Sequence, residues 1–234
     1  MMIFFFLISF VFSNTLIMIG GGTRPLSALK AMVASLPNED ATLAILPWGT
    51  EIPEELCEIM TKEFQAAGAH HINCILSNDL DLYAKVSKAD GLYFPGGDQN
   101  KIMTVIKTYN LQALIQKKFR ENLVVGGTSA GTAIQSLLML TGKDSEVAEG
   151  LGLFKECIVD QHFLVRQRQE RLKSAIKREK KCGLGIDEST AVIKNKNELL
   201  VVGQTEVWFY PKNKTKPIII KTNQRFTLQD HHLR

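Results

Sequence analysis

Leu123-Val124-Val125-Gly126-Gly127-Thr128-Ser129-Ala130-Gly131-Thr132-Ala133-Ile134 sets a short apolar run directly before G-x-S-x-G and a stretch able to continue as helix. Strand, tight turn and helix in that order belong to a parallel sheet covered by helices. A serine on such a turn is held in a strained backbone conformation that lifts its hydroxyl above the sheet. The small neighbours Gly127, Ala130 and Gly131 leave room for a substrate. Free N–H groups at the helix start aim at the same point and can bind an oxyanion. The competing use of such a turn is to cap the helix or cradle a phosphate. A phosphate loop of the G-x-x-x-x-G-K-[ST] type needs a lysine, and none stands here. Ser129 is read as a nucleophile.

Working outward, apolar runs alternate with helical patterns on both sides of this turn. Strands are expected at Leu16–Ile19, Thr42–Leu46, Ile72–Leu76, Gly91–Phe94 and Leu123–Val125. Helices are expected over Pro25–Ser35, Pro53–Ala67, Asp79–Ser87 and, as one piece, Gln99–Arg120. Further on, Ala191–Lys194 and Glu198–Val202 flank Asn195-Lys196-Asn197 as a hairpin, and Glu206–Tyr210 adds a strand, so antiparallel strands should close the sheet edge. The fold class is α/β, with a mostly parallel sheet between helical layers. Gly20-Gly21-Gly22-Thr23-Arg24-Pro25 invites a dinucleotide reading, but proline stands where G-x-G-x-x-G needs its last glycine.

The 234 residues suit one α/β domain with a sizeable core, taken as residues 14–234. Apolar residues make up 45% and charged residues 22%, which argues against disorder, and a net charge of +4 gives no reason to expect nucleic acid. Residues 1–13 are almost entirely apolar and too short to span a bilayer, so no stable membrane span is expected. The run fits the apolar part of a secretory signal peptide cut after Ser13, although no Lys or Arg precedes it. Export to the periplasm or beyond is the expectation, with a cytoplasmic protein the alternative. Cys57, Cys74, Cys157 and Cys182 form no C-x-x-C pair, which excludes a zinc knuckle. They are read as core thiols, a disulfide between two unspecified ones being open if the protein is exported.

A serine hydroxyl needs a positioned base. Of five histidines, His70 and His71 sit where a strand begins, at the wrong edge of the sheet, and His231 and His232 belong to the tail. His162 follows the strand-like Cys157–Val159, at the strand end where α/β sites gather. The third member should be a carboxylate, and Asp187 and Glu188 both stand at another strand end. The order Ser, His, acid is not that of α/β-hydrolases.

Four stretches together, Tyr93-Phe94-Pro95-Gly96-Gly97-Asp98-Gln99, Gly127–Gly131, Asp160-Gln161-His162-Phe163 through Arg166, Arg168 and Arg171, and Gly185-Ile186-Asp187-Glu188, resemble the cyanophycinase-like serine peptidases, the family that also holds aspartyl dipeptidase. The resemblance runs roughly from Leu16 to Trp208. It implies a three-layer α/β/α sandwich like that of class I glutamine amidotransferases and a Ser-His-Glu triad, which selects Glu188. The backbone N–H groups of Gly97 and Ala130 are the expected oxyanion hole. Substrate contacts are implied at Gln99, Asp160, Gln161, Arg166, Arg168 and Arg171, with the arginines gripping carboxylates and Asp160 or a neighbouring acid meeting a guanidinium. The implied substrate is cyanophycin, a poly-aspartate chain carrying arginine on each β-carboxyl, cut to β-aspartyl-arginine without metal or cofactor. Small aspartyl or isoaspartyl peptides are the alternative substrate, and a non-catalytic binding protein of the same fold the alternative function. Relatives imply a homodimer.

Overall fold

The computed structural model describes residues 14–214 and 216–229, so the expected signal segment, His231 and His232 lie outside the described residues. The first half of the chain builds the sheet with strands β1 (Thr15–Ile19), β2 (Thr42–Ile45), β3 (His71–Cys74), β4 (Gly91–Phe94) and β5 (Val124–Thr128). Helices α1 (Leu26–Ala34), α2 (Pro53–Ala66), α3 (Leu82–Lys88), α4 (Gln99–Thr108), α5 (Leu111–Arg120) and α6 (Ala130–Ala133) alternate with them. The rest supplies β6 (Leu138–Leu140), β7 (Val147–Glu149), β8 (Cys157–Gln161), α7 (Gln169–Glu179), β9 (Cys182–Ile186), β10 (Thr190–Asn195), β11 (Glu198–Gly203), β12 (Val207–Tyr210), β13 (Ile218–Ile220) and β14 (Arg225–Thr227).

The main sheet runs β14-β11-β10-β1-β5-β4-β2-β3. Its β1, β5, β4, β2 and β3 are parallel, and β10, β11 and β14 extend it antiparallel from β1, as the hairpin around Asn195–Asn197 required. Strand alternation sorts the two faces. Leu16 and Met18 of β1 pack toward Ile102, Ile106 and Ile115 of α4 and α5, while Ile17 and Ile19 pack toward Leu29, Met32, Met60 and Phe64 of α1 and α2. This is the expected three-layer α/β/α arrangement.

Three details differ from the sequence reading. The single helix over Gln99–Arg120 is two, because Asn110 takes a left-handed φ of 51° between α4 and α5. Asparagine tolerates that conformation at low cost, and the β-branched Thr108 and aromatic Tyr109 before it are indifferent helix formers. Glu206–Tyr210 does not join the main sheet: β12 pairs with β9 in a second sheet, β13-β12-β9-β8. One face of that sheet packs into the main core through Val159, Leu184 and Phe209, and the other packs through Ile158 and Tyr210 on Leu172, Ala175 and Ile176 of α7. The cysteines are not free thiols. Cys57 bonds to Cys74 and Cys157 to Cys182, so every cysteine is in a disulfide. Spacing alone could not have paired them, since β8 and β9 become neighbours only through a second sheet. Among the described residues no helix is long and apolar enough to cross a membrane.

Candidate active site

The carboxyl ends of β1, β5 and β4 lie side by side, and β5 delivers Ser129 to that edge. Its backbone has φ 52° and ψ −111°, a conformation that an L residue adopts only under constraint. The constraint is visible. Ser129 N–H donates to the carbonyl of Ile19 at 3.0 Å, and Thr132 Oγ1 donates to the same carbonyl at 2.7 Å. The flanking residues must be glycine for steric reasons: a Cβ on Gly131 would lie 1.7 Å from the Phe94 carbonyl oxygen, and one on Gly127 would lie 2.4 Å from the carbonyl of Gly131.

His162 leaves β8 with φ 50° and comes back over the end of β1, where its N–H donates to the Gly20 carbonyl at 2.7 Å. Its Nε2 lies 2.7 Å from Ser129 Oγ, and its Nδ1 lies 2.5 Å from Glu188 Oε1. Serine hydroxyl, imidazole and carboxylate thus form one continuous chain, in which the carboxylate fixes the tautomer that leaves Nε2 free to accept the serine proton. Burial lowers the His162 pKa below 6.5, opposed by the hydrogen bond to Glu188 and assisted by the positive charges of Arg166 and Arg168. A neutral imidazole is the form that can take a proton.

The two acids that the strand end offers, of which the resemblance selected Glu188, have separate roles. Asp187 is buried, and its Oδ1 accepts the N–H groups of Leu164 at 3.0 Å and Val165 at 3.1 Å, which fixes the turn just after His162. Glu188 alone reaches the imidazole among them. Among the described residues the Gly97 and Ala130 amides donate to no backbone acceptor; Ala130 directly follows Ser129 at the start of α6, and Gly96, next to Gly97, faces the Ser129 side chain.

The six expected substrate contacts divide. Asp160 is wholly buried and holds Arg168 Nη1 and Arg171 Nε, each at 3.2 Å. Arg168 also donates to the Gln161 carbonyl at 2.8 Å. The Asp160 carboxylate, which with a neighbouring acid as the alternative was expected to meet a substrate guanidinium, is enclosed and shared by two guanidiniums of its own chain. Burial raises its pKa to about 6, against the pull of Arg171 and Arg168. Gln161 is buried beside this cluster, and Gln99 stands apart from it, donating Nε2 to the Leu140 carbonyl at 3.0 Å. Arg166 is exposed, and it forms no ion pair among the described residues. His71 starts β3 at the amino-terminal edge of the sheet, away from the site.

Sequence reasoning singled out the glycine run at the end of β1 but gave it no role in the site. Gly20 and Gly21 carbonyls accept the N–H groups of His162 and Ser189, and Gly22 packs on Glu188. The run is the seat on which base and acid rest. The signal that could have found it is its position: three glycines directly after the strand beside β5. No group of three or more His, Cys, Asp or Glu among the described residues could hold a metal ion.

Residues 15–202 match the sequence profile of Peptidase family S51. The chain belongs to peptidase family S51. Membership makes it a hydrolase of the serine peptidase type, and the Ser129–His162–Glu188 chain lies inside the matched region. Curated relatives include the cyanophycinase of Geminocystis herdmanii, 31% identical over 186 residues, covering 72% of this chain and 68% of that protein. The cyanophycinase of Synechococcus elongatus is 30% identical over 186 residues, covering 72% of this chain and 58% of that protein. The S51 chain thus spans roughly three fifths to two thirds of the length of these relatives. Among solved structures, a peptidase from an acI-B1 Actinobacterium superposes with a TM-score of 0.70 at 19% identity, covering 92% of this chain and 97% of that one. A putative peptidase E protein from Listeria monocytogenes gives a TM-score of 0.65 at 15% identity, covering 82% and 100%. These two share the S51 fold.

Proposed function

We propose that this S51 peptidase hydrolyses cyanophycin to β-aspartyl-arginine dipeptides through an acyl-enzyme on Ser129. The observation that carries the chemistry is the unbroken hydrogen-bond chain from Ser129 Oγ through His162 to Glu188. His162 Nε2 takes the hydroxyl proton as Oγ attacks the scissile carbonyl, and the amides of Gly97 and Ala130 receive the developing oxyanion. The protonated imidazole, steadied by Glu188, gives its proton to the leaving amine. Water then repeats the sequence on the ester and frees the acid product. Such base catalysis contributes about 10² to 10⁴-fold and each well-placed oxyanion donor about 3 to 4 kcal/mol.

The substrate assignment rests on relatives named cyanophycinase and on the presence of Gln99, Asp160, Gln161, Arg166, Arg168 and Arg171 in this chain. Arg166, free and exposed beside His162, suits a substrate carboxylate, and Arg168 and Arg171 keep a surplus positive charge after sharing Asp160. Two disulfides favour an oxidising compartment, which supports export.

The test is incubation of purified protein with cyanophycin and mass analysis of the products, with Ser129→Ala as control. Release of β-aspartyl-arginine by the wild type alone supports the reading. Cleavage of free aspartyl or isoaspartyl dipeptides with cyanophycin left intact would replace it with a dipeptidase. Failure of a fluorophosphonate to label Ser129 would sink the enzymatic reading altogether.

A further inference from the structure

The turn that seats the triad has no side chains of its own to hold it. Gly21 and Gly22 take φ of 126° and 62°, and glycines in such conformations are the residues that lose most freedom on folding. Yet the turn must be rigid, since its carbonyls accept the N–H groups of His162 at 2.7 Å and Ser189 at 2.9 Å. Its entry is fixed by β1 and by the Gly20 N–H, which donates to the Thr190 carbonyl at 2.9 Å. Its exit needs a separate anchor.

Arg24 provides one. Two residues after Gly22, its Nε donates to Glu63 Oε2 at 2.5 Å and its Nη2 to Glu63 Oε1, a two-pronged fork between guanidinium and carboxylate. The side chains are 20% and 31% exposed, so the pair is only partly screened by water. Glu63 lies in the last turn of α2, which is itself fixed by Met60 and Phe64 in the core and by the Cys57–Cys74 bridge to β3. The fork therefore ties the glycine turn to a rigid body on the far side from β8 and β9. A lysine could keep the charge there but not the two parallel hydrogen bonds.

We infer that Arg24 is a positioning residue for the triad, acting through the Gly20–Gly22 turn and anchored by Glu63. It touches neither substrate nor the reacting atoms. Loss of the fork lets the turn relax, and the imidazole and carboxylate resting on it move away from Ser129 Oγ. Small misplacements of this kind cost up to about 100-fold in rate. Of the groups that would grip substrate, Asp160 stands on β8 and Arg168 and Arg171 stand at the start of α7, while Arg166 follows the base itself, its N–H donating to the His162 carbonyl at 3.0 Å.

The inference rests on the serine-peptidase reading, so the experiment separates the two. The rate of labelling by a fluorophosphonate is measured for wild type, Arg24→Lys, Arg24→Ala and Glu63→Gln, together with kcat, KM and the pH profile on whichever aspartyl substrate the wild type cleaves. Expected are losses of about 10- to 100-fold in labelling rate and kcat, a smaller change in KM, and a displaced acid limb of the pH profile. Arg24→Lys should rescue little. Should Arg24→Ala fail to fold, Glu63→Gln carries the test, because it keeps the side-chain volume and weakens only the fork. Labelling at the wild-type rate in folded variants, or a loss confined to KM, overturns the role of Arg24. A wild type that is never labelled overturns the serine mechanism instead.

Discussion

Gly21 lies against the face of His162 so closely that a Cβ at residue 21 would stand 2.2 Å from the imidazole Cε1 and 2.6 Å from each ring nitrogen. The ring cannot stay bonded to both Ser129 and Glu188 with a methyl group there. Gly21→Ala should therefore cost about 100-fold or more in kcat, and about 1 to 3 kcal/mol of stability, since its φ of 126° is strained for alanine. Gly68→Ala is the control. Its φ is 100° and a Cβ there meets nothing within 4 Å, so stability should fall while kcat holds. Steady-state kinetics and thermal melts on the two variants check the contrast.

The acid limb of activity should fall below the ordinary histidine value of 6.5, because burial depresses His162 and the base works only when neutral. Arg166 pushes in the same direction by charge, so Arg166→Gln should move the limb upward toward neutral pH. Glu188→Gln removes a group that favours the imidazolium, so it should move the limb downward while kcat drops by about 10³ to 10⁴-fold through loss of the tautomer-fixing partner. The pH dependence of kcat/KM for the three proteins reads both shifts.

Much of this site was legible because its parts obey local rules. Ser129 announces itself by a strand, a glycine-flanked serine and a helix start, and the parallel sheet follows from strands and helices in alternation. His162 could be chosen from five histidines by its place at a strand end. What stayed hidden depends on contacts between distant segments. Residue pattern alone left Asp187 and Glu188 level until the family resemblance chose between them; the roles of Gly21 and Arg24 turn on what crosses the end of β1, and the cysteine pairing on a second sheet. The break at Asn110 is a local exception that helical periodicity passes over.

Asp160 makes a prediction of unusual sign. Its folded pKa, raised to about 6 by burial, exceeds the ordinary 3.8, so between these values the folded chain holds a proton that the unfolded chain has released. Its contribution to stability should fall as pH rises through that window and stay flat above it. Asp160→Asn keeps an acceptor oxygen for Arg168 and should abolish this pH dependence. Asp160→Ala leaves two largely buried guanidiniums without a counter-charge and should cost about 3 to 5 kcal/mol. Urea unfolding of the three proteins across the window is the measurement, and a wild-type midpoint that climbs with pH there, relative to Asp160→Asn, would contradict the assignment.

Cys157 and Cys182 open the parallel pair β8–β9, whose far ends lead into His162 and Glu188. Protein purified without reductant and then denatured should show no titratable thiol, and reductant should expose all four. Replacing Cys157 and Cys182 with serine releases a loop with a sequence separation of 25. By the chain-entropy account this costs about 3 to 4 kcal/mol. The same change also frees the two strands that carry base and acid, so kcat should fall in the folded variant beyond what its unfolded fraction explains. Equal kcat per folded molecule in both proteins would mean that strand pairing alone, without the covalent tie, keeps the imidazole and the carboxylate in register.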